Sequence, residues 1–499
     1  CKGQQARVCM EPESEFQKRN PGESSLTNDI VTVGGGPSGL AAAYEAIGHG
    51  ARAIVLERLD RLGGLARTVE FEGSRWDIGP HRFFTRNREV HDLFVRIAGE
   101  DLVHVPRQTR ILYNNKLFDY PLTPLNALFG VGVLESLWIF ADYGLARVRS
   151  RFGNSRIENF EDWIVDRFGR KLFQTFFKTY TEKVWGISCK EIGADWASQR
   201  IKGLSLTEAV RNALFKSKSK QIKTLIDEFM YPRLGAGQLY EKMAARIVRS
   251  GSEVLTRSQV LRIRREGTRV RSVTVNHGDD GSQNVEGRYF LISAPLTDMV
   301  QMMEPAAPPE ILAACRALRY RDHIGVNLLV EGRPFPDNWI YVHSANVAMA
   351  RVTNYSNFSP AMGSRPDLNP LTVEYFTFPG DGIWDAPDPS LIERATRELD
   401  LVGLLKGARV TNGFVVRNER AYPVIEIGYE RHISIIKEWL DQFDNLLPIG
   451  RSGMFKYNNQ DHAMATGLLA ARTALDLGRF DPWRVNIDAE YHESGPPPE

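Results

Sequence analysis

Val31-Thr-Val-Gly-Gly-Gly-Pro-Ser-Gly39 runs from an apolar strand into a glycine turn, and Leu40 to Ala46 then read as a small-residue helix. Ile54-Val-Leu-Glu57 follows as a second apolar strand that ends in an acid. Gly34, Gly36 and Gly39 fit the spacing G-x-G-x-x-G: one glycine for a tight turn, one for close backbone approach to a pyrophosphate, and one for close helix–strand packing. Pro37 and Ser38 open the helix, whose first N–H groups and partial positive charge face the phosphates. Glu57 stands roughly 20 residues on, where a carboxylate takes the ribose hydroxyls of a dinucleotide. A glycine-rich turn in an ordinary α/β protein is the plainer reading. The flanking strand, helix, second strand and acid favour dinucleotide binding.

The residues after Glu57 point to FAD as the cofactor. Arg58-Leu-Asp-Arg-Leu-Gly-Gly-Leu-Ala-Arg67 places Gly63, Gly64, Leu65 and Ala66 at a second close backbone approach, between Arg61 and Arg67. Solvated loop arginines are the alternative to cationic cover for a buried pyrophosphate.

At 499 residues the chain exceeds one simple core, so two or three domains are expected. With 42% hydrophobic and 25% charged residues it has the composition of a globular protein. A net charge of +2 gives no support for nucleic-acid binding. Cys1, Cys9, Cys189 and Cys315 show neither metal nor disulfide spacing, so no metal site is expected and a reducing, cytoplasmic setting is. Residues 1–27 and the end Ser494-Gly-Pro-Pro-Pro-Glu499 read as polar tails.

Ala127 to Ala146 is largely apolar, but Glu135 and Asp142 interrupt it, which argues against a membrane span. The expectation is a buried helix of a substrate domain. The alternative is a membrane-surface helix serving a lipid-linked substrate, with peripheral membrane contact.

The fold expected is α/β: a Rossmann-type FAD-binding domain with a discontinuous substrate side made of an antiparallel sheet plus a helical insertion. Residues 28–90, 230–300 and 431–485 would build the FAD-binding domain. Residues 91–229 would form a mainly helical substrate domain, residues 301–430 an antiparallel-sheet substrate domain, and residues 486–499 a tail. Phe160 to Phe168 and Arg170 to Thr179 have helical apolar spacing. Lys216, Lys218, Lys220 and Lys223 read as a solvated face or as a loop closing over an anion. Gln238 to Arg249 is amphipathic. Glu253 to Thr256, Val260 to Arg264, Val270 to Val275 and Tyr289 to Ala294 read as strands, with Val260 counted among the cofactor residues.

Near the C-terminus, Leu446-Leu-Pro-Ile-Gly450-Arg451 reads as a buried strand ending in glycine. Lys456-Tyr-Asn-Asn-Gln-Asp461-His462 then leads into a small-residue helix from Ala463 to Ala474, capped by Asn459 or Asp461. The start of that helix, with Asp461, His462 and Ala463, is expected beside the electron-rich edge of a reduced flavin.

The double-glycine arrangement resembles the flavoprotein superfamily of amine oxidases, protoporphyrinogen oxidases and UDP-galactopyranose mutases. Gly79-Pro80-His81-Arg-Phe-Phe-Thr-Arg-Asn87 resembles the Gly-Pro-His motif that the mutases carry beside the flavin. Phe160-Glu-Asp-Trp163 through Trp185-Gly186, Arg233-Leu-Gly-Ala-Gly-Gln238, Ala350-Arg351 through Pro360, and Gly450-Arg451 through Tyr457 are similar to further mutase segments. The resemblance implies that His81 lies at the flavin face and that Arg351 and Tyr457 hold an anionic leaving group. It also implies that Arg451 balances flavin or phosphate charge, and that Trp185, Lys456 and Asn459 contact substrate. The bland alternatives are a turn histidine, a strand-surface arginine and a packed tyrosine.

Three departures stand out. Phe84 takes the place of a second motif histidine, Ile425 that of a second diphosphate arginine after Tyr422-Pro423-Val424, and Asn459 that of an aspartate. Losing one arginine from a diphosphate clamp removes about 1.5–3 kcal/mol of charge-assisted hydrogen bonding. The sequence thus leaves two chemistries open. One is mutase-like isomerisation of an anionic nucleotide- or lipid-linked sugar without net redox. The other is hydride removal by FAD, as in a protoporphyrinogen or amine oxidase. NAD(P)H or a separate reductase would be the partner for reduction.

Overall fold

The computed structural model describes residues 28–120, 130–152, 156–194, 196, 228–278 and 281–486. The two tails and the lysine run Lys216–Lys223 lie outside the described residues.

Strand Asn28–Val33 is the axis of the first sheet. It pairs in parallel with Ala53–Leu56 on one side and with the C-terminal half of Ser282–Ile292 on the other, with Ile30 opposite both Ala53 and Tyr289. Glu253–Leu255 and Leu446–Pro448 extend this parallel core at its two flanks. Strands of this kind are covered on both faces, hence the buried runs Ile30 to Val33, with Thr32 as its one polar member, and Ala53 to Leu56. Ser282–Ile292 changes partners along its length. Its N-terminal half joins an antiparallel wing with Arg269–Asn276 and Gln259–Glu266. Helix Pro37–Gly48 packs against helix Gln460–Ala474 so closely that a Cβ on Gly467 would stand 2.1 Å from the Ser38 carbonyl oxygen.

The second sheet has seven strands, in the order Arg409–Pro423, Tyr320–Glu331, Leu368–Thr377, Arg351–Asn354, Trp339–Val342, Thr109–Tyr113, Lys116–Asp119. Its pairings are antiparallel except Trp339–Val342 with Thr109–Tyr113. Two of these strands, with Leu102–Pro106, correct the expectation of a mainly helical stretch after residue 90. Thr109-Arg-Ile-Leu-Tyr113 and Lys116-Leu-Phe-Asp119 are short alternating runs joined by Asn114-Asn115. Both asparagines have positive φ, 47° and 57°, the conformation of a two-residue hairpin turn. That local turn chemistry outweighs the helical pattern around it.

The helical part follows. Helix Val133–Phe152 packs on helix Phe160–Phe168, whose start Asn159 caps through its side chain on the Asp162 N–H at 2.9 Å. From Arg170 the chain stays helical to Trp185, with a π-helical turn at Phe173–Lys178. Helix Val133–Phe152 also corrects the expectation of a buried helix. Leu134, Leu137, Trp138, Leu145 and Val148 are exposed on it. The described helices are too short or too polar to cross a membrane.

Candidate active site

A cleft of about 500 Å³ opens at the C-terminal ends of the parallel strands, where Val33, Leu56 and Ser293 meet. Strand Asn28–Val33 leads to Ala53–Leu56 on one side and is flanked on the other by Ser282–Ile292 from far along the chain, and such a switch in strand order leaves a crevice for a ligand. Gly34 has φ +107°, and a Cβ there would stand 2.1 Å from Ser293 Oγ. A Cβ on Gly39 would stand 2.0 Å from the Gly34 carbonyl oxygen, so the helix can start this close to the strand only with glycine. Gly36 caps helix Pro37–Gly48 in extended backbone and without a side-chain hydrogen bond, leaving the first-turn N–H groups to a ligand. Gly36 and Gly64 face one another across the cleft floor, where a Cβ on Gly36 would lie 3.7 Å from the Gly64 Cα. The buried Glu57 carboxylate accepts from the Gly35 N–H at 2.7 Å and the Leu59 N–H at 2.9 Å.

Arg67 is buried and spans both sheets. It donates to the Gly64 carbonyl at 2.8 Å and to Asn418 Oδ1 at 2.6 Å. Burial pushes its guanidinium down to about 10. Behind it, the turn Gly235-Ala-Gly237 docks on Thr68 and Asp77. Asp77 accepts from Thr68 Oγ1 and Tyr231 Oη, each at 2.6 Å, and from the Ala236 N–H at 3.1 Å. Full burial pushes the Asp77 carboxyl up to about 6, against those three donors.

The far wall belongs to the second sheet. Arg351, on its inner strand, is ion-paired through Nε to Glu374 on the neighbouring strand, opposite it in register. Glu374 is completely buried. Burial works to raise its carboxyl, and Arg351 followed by His323 hold it below the ordinary carboxylate range. Burial likewise works to lower the Arg351 guanidinium, and Glu374 outweighs it. A Cβ on Gly79 would come within 2.9 Å of Glu374 Oε1, so Gly79 lets the Gly-Pro-His turn lie directly on this pair. His81 Nε2 sits 2.9 Å from the Ile78 carbonyl oxygen. That oxygen only accepts, so Nε2 carries the proton and Nδ1 is an acceptor. Burial, with Arg451 and Arg351 close by, pushes the imidazole down to about 4.

Aromatic rings close the wall. The Arg451 guanidinium lies 5.1 Å from the Tyr422 ring and 4.7 Å from the Tyr457 ring, and its Nε donates to the Asn458 carbonyl at 2.7 Å. Tyr457 packs on Trp185, and Tyr422 on Phe376. Ile425 is packed in the same apolar cluster as Val424, Trp185 and Tyr457.

The structure brings into one cleft Gly34, Gly36, Pro37, Ser38, Glu57, Arg58, Gly64, Leu65, Ala66, Arg67, Gly79, Pro80, His81, Val260, Arg351, Arg451, Tyr457, Asn459, Asp461 and Ala463. Gly39, Gly63 and Gly450 stand behind it as backbone supports. Three side chains lie elsewhere. Lys456 turns away, its ammonium donating to the carbonyls of Trp483 and Val485 at 2.7 Å each. His462 Nδ1 accepts from the Asn459 N–H at 3.3 Å and so secures the helix start. Trp185 stands behind Tyr457 rather than on the cleft surface.

Sequence reasoning missed Glu374, Asn418 and the stretch Arg417 to Arg420. The signal for Glu374 was a carboxylate between apolar residues, Val373-Glu374-Tyr-Phe376, and Arg417 to Arg420 carried none.

The glycine cradle and the uncapped helix start suit a pyrophosphate. Asp461 Oδ1, on the cleft lining, is buried without a hydrogen bond inside the protein, which suits a ligand carrying hydroxyl or N–H donors. Fold and site together define a flavin-dependent enzyme that uses FAD.

The chain belongs to the family of flavin containing amine oxidoreductases, which it matches over residues 37–424. It is 24% identical over 391 residues to a coproporphyrinogen III oxidase of Mycobacterium tuberculosis, covering 74% of this chain and 80% of that protein. A probable UDP-galactopyranose mutase of Klebsiella pneumoniae is 27% identical over 173 residues, 33% of this chain and 43% of that one. Among solved structures, a reduced UDP-galactopyranose mutase superposes with a TM-score of 0.78 at 22% identity, over 92% of this chain and 98% of that one.

Proposed function

We propose that this flavoenzyme is an oxidoreductase that removes a hydride from a substrate C–H bond activated by an adjacent nitrogen, oxygen or electron-rich pyrrole ring. The observation that carries this reading is the Arg351–Glu374 pair. The cation that a mutase-like enzyme would turn on a diphosphate is here matched by a completely buried carboxylate. Where a second clamp arginine would stand, Ile425 is packed into an apolar cluster. FAD, when bound, supplies the two-electron acceptor.

The protein's own groups bind, orient and exclude water. The first turn of helix Pro37–Gly48 with Gly36 and Gly64 would hold the pyrophosphate, and Glu57 the ribose. His81, neutral at physiological pH, offers Nδ1 as an acceptor for a substrate N–H or O–H proton. Tyr422, Tyr457 and Trp185 keep the reacting region apolar, and Arg451 adds a positive charge for a substrate carboxylate or an electron-rich ring. The similarity to a coproporphyrinogen III oxidase over most of the chain makes that compound the first substrate to offer.

A second reading is mutase-like isomerisation of an anionic activated sugar. It is favoured by the Arg451 guanidinium between two tyrosine rings, a setting that suits a phosphate.

An anaerobic visible spectrum of the flavin-loaded protein separates the two. Bleaching of the oxidised flavin by coproporphyrinogen III or an amine is expected. Conversion of UDP-galactopyranose by the reduced form alone, with no bleaching by any reduced donor, would replace the oxidoreductase reading with the isomerase.

A further inference from the structure

Leu134, Leu137, Trp138, Leu145 and Val148 recur at the spacing of one helix face and are 57 to 78% exposed. Ala141 and Gly144 are exposed between them, so the stripe is continuous along helix Val133–Phe152. Isolated exposed leucines need no explanation. A contiguous apolar stripe with a tryptophan on it does.

The acids of this helix do not share the stripe. Glu135 Oε1 is ion-paired with Lys171 Nζ at 2.8 Å, and Asp142 Oδ2 accepts from the Lys171 N–H at 2.7 Å. Gly169 lets the two segments meet this closely, since a Cβ there would stand 2.5 Å from Asp142 Oδ2. Asp142 is thus committed to the protein side, and the half-exposed Glu135 is neutralised by Lys171 beside the stripe. Among the described side chains, the exposed charges in the last turns are Arg147 and Arg149. The outward surface is apolar with a basic end, and its charge complements an anionic one.

We propose that this face docks on the surface of an anionic phospholipid bilayer, with helix Val133–Phe152 lying in the interfacial plane. An interfacial helix buries an apolar stripe at the headgroup boundary while cationic side chains meet the lipid phosphates. Trp138 is of the type that anchors at that depth.

The test is flotation of the full-length, flavin-loaded protein with vesicles of phosphatidylglycerol and phosphatidylcholine. The protein should float with them, and 0.5 M salt or pure phosphatidylcholine vesicles should weaken the association roughly tenfold. Leu137→Glu with Trp138→Glu should lower partitioning by roughly tenfold or more while flavin content and thermal midpoint stay unchanged. Leu401→Glu, at a leucine 55% exposed on another helix, should leave partitioning intact. Wild-type protein that stays at the bottom of the gradient overturns the proposal. So does a salt-insensitive association with both kinds of vesicle, or one that the double substitution leaves unchanged. A dimer in solution that Leu137→Glu with Trp138→Glu dissolves would assign the face to a second copy instead.

Discussion

The two sheets that meet at the cleft handle polar groups in opposite ways. On the parallel side the work falls to backbone. Glycines at Gly34, Gly36, Gly39 and Gly64 remove side chains so that N–H groups can approach a ligand, and the carboxylate of Glu57 is held by two amides. On the other side it falls to side chains. Arg351, Glu374, His323, Tyr422 and Tyr457 are contributed by strands and loops far apart in sequence and are balanced against one another in a dry environment. A backbone site depends on sterics and tolerates changes of pH. A site of buried charges depends on every partner being present.

The largest expected effect follows from that dependence. Arg351→Met leaves Glu374 buried without its counter-ion and should cost about 3–5 kcal/mol in urea unfolding. Adding Glu374→Leu should restore most of the loss, because two apolar side chains need no mutual charge balance. A single variant as stable as the parent would show that the pair does not act as a unit.

On the parallel side the matching test is steric. Gly39→Val drives a side chain into the Gly34 carbonyl and should cost about 3 kcal/mol, with purified protein largely free of flavin. Full flavin content in this variant would mean that the helix can retreat without loss, contrary to a rigid cradle.

Glu57→Gln probes the boundary between the two modes. It keeps the shape but removes the charge that draws in two N–H groups, so FAD affinity should fall by about 1.5–3 kcal/mol, read by fluorescence titration of the apoprotein. Unchanged affinity would leave Glu57 with a backbone role only.

The smallest effect is in the pH dependence. His81 is depressed to about 4 in the folded protein, so between its ordinary value near 6.5 and 4 the unfolded chain binds the extra proton. Its share of stability is present above that window and lost as pH falls through it. Asp77, raised to about 6, has the opposite sign, its contribution fading as pH rises from 3.8 to 6. His81→Gln should therefore flatten the rise of stability between about pH 4 and 6.5, whereas Asp77→Asn should steepen it by removing the opposing fall between 3.8 and 6. Identical slopes in parent and His81→Gln would remove His81 as the group concerned.

The parallel half was legible because its chemistry is local. The strand, turn, helix and acid of residues 31–57 lie within one stretch of chain, and each glycine answers a constraint set by its near neighbours in sequence. Helix Phe160–Phe168 was legible for the same reason. The hairpin at Asn114-Asn115 carries a local turn signal, but its strands are short and stand next to long helical patterns that mask it. Lys456 was placed on the substrate by its position between Arg451 and Tyr457. Only the packing of 483–485 shows where its ammonium goes.

The sequence by itself determined the glycine cradle, the membership of the superfamily and the presence of two guanidiniums and a histidine that share one cleft. The tertiary structure decided what those charges can do. Arg351 meets Glu374 only because two strands align in one sheet, and His81 stays neutral only because the Gly-Pro-His turn is buried on that pair. Burial and counter-charge are set by neighbours remote in the chain, and no local pattern carries them.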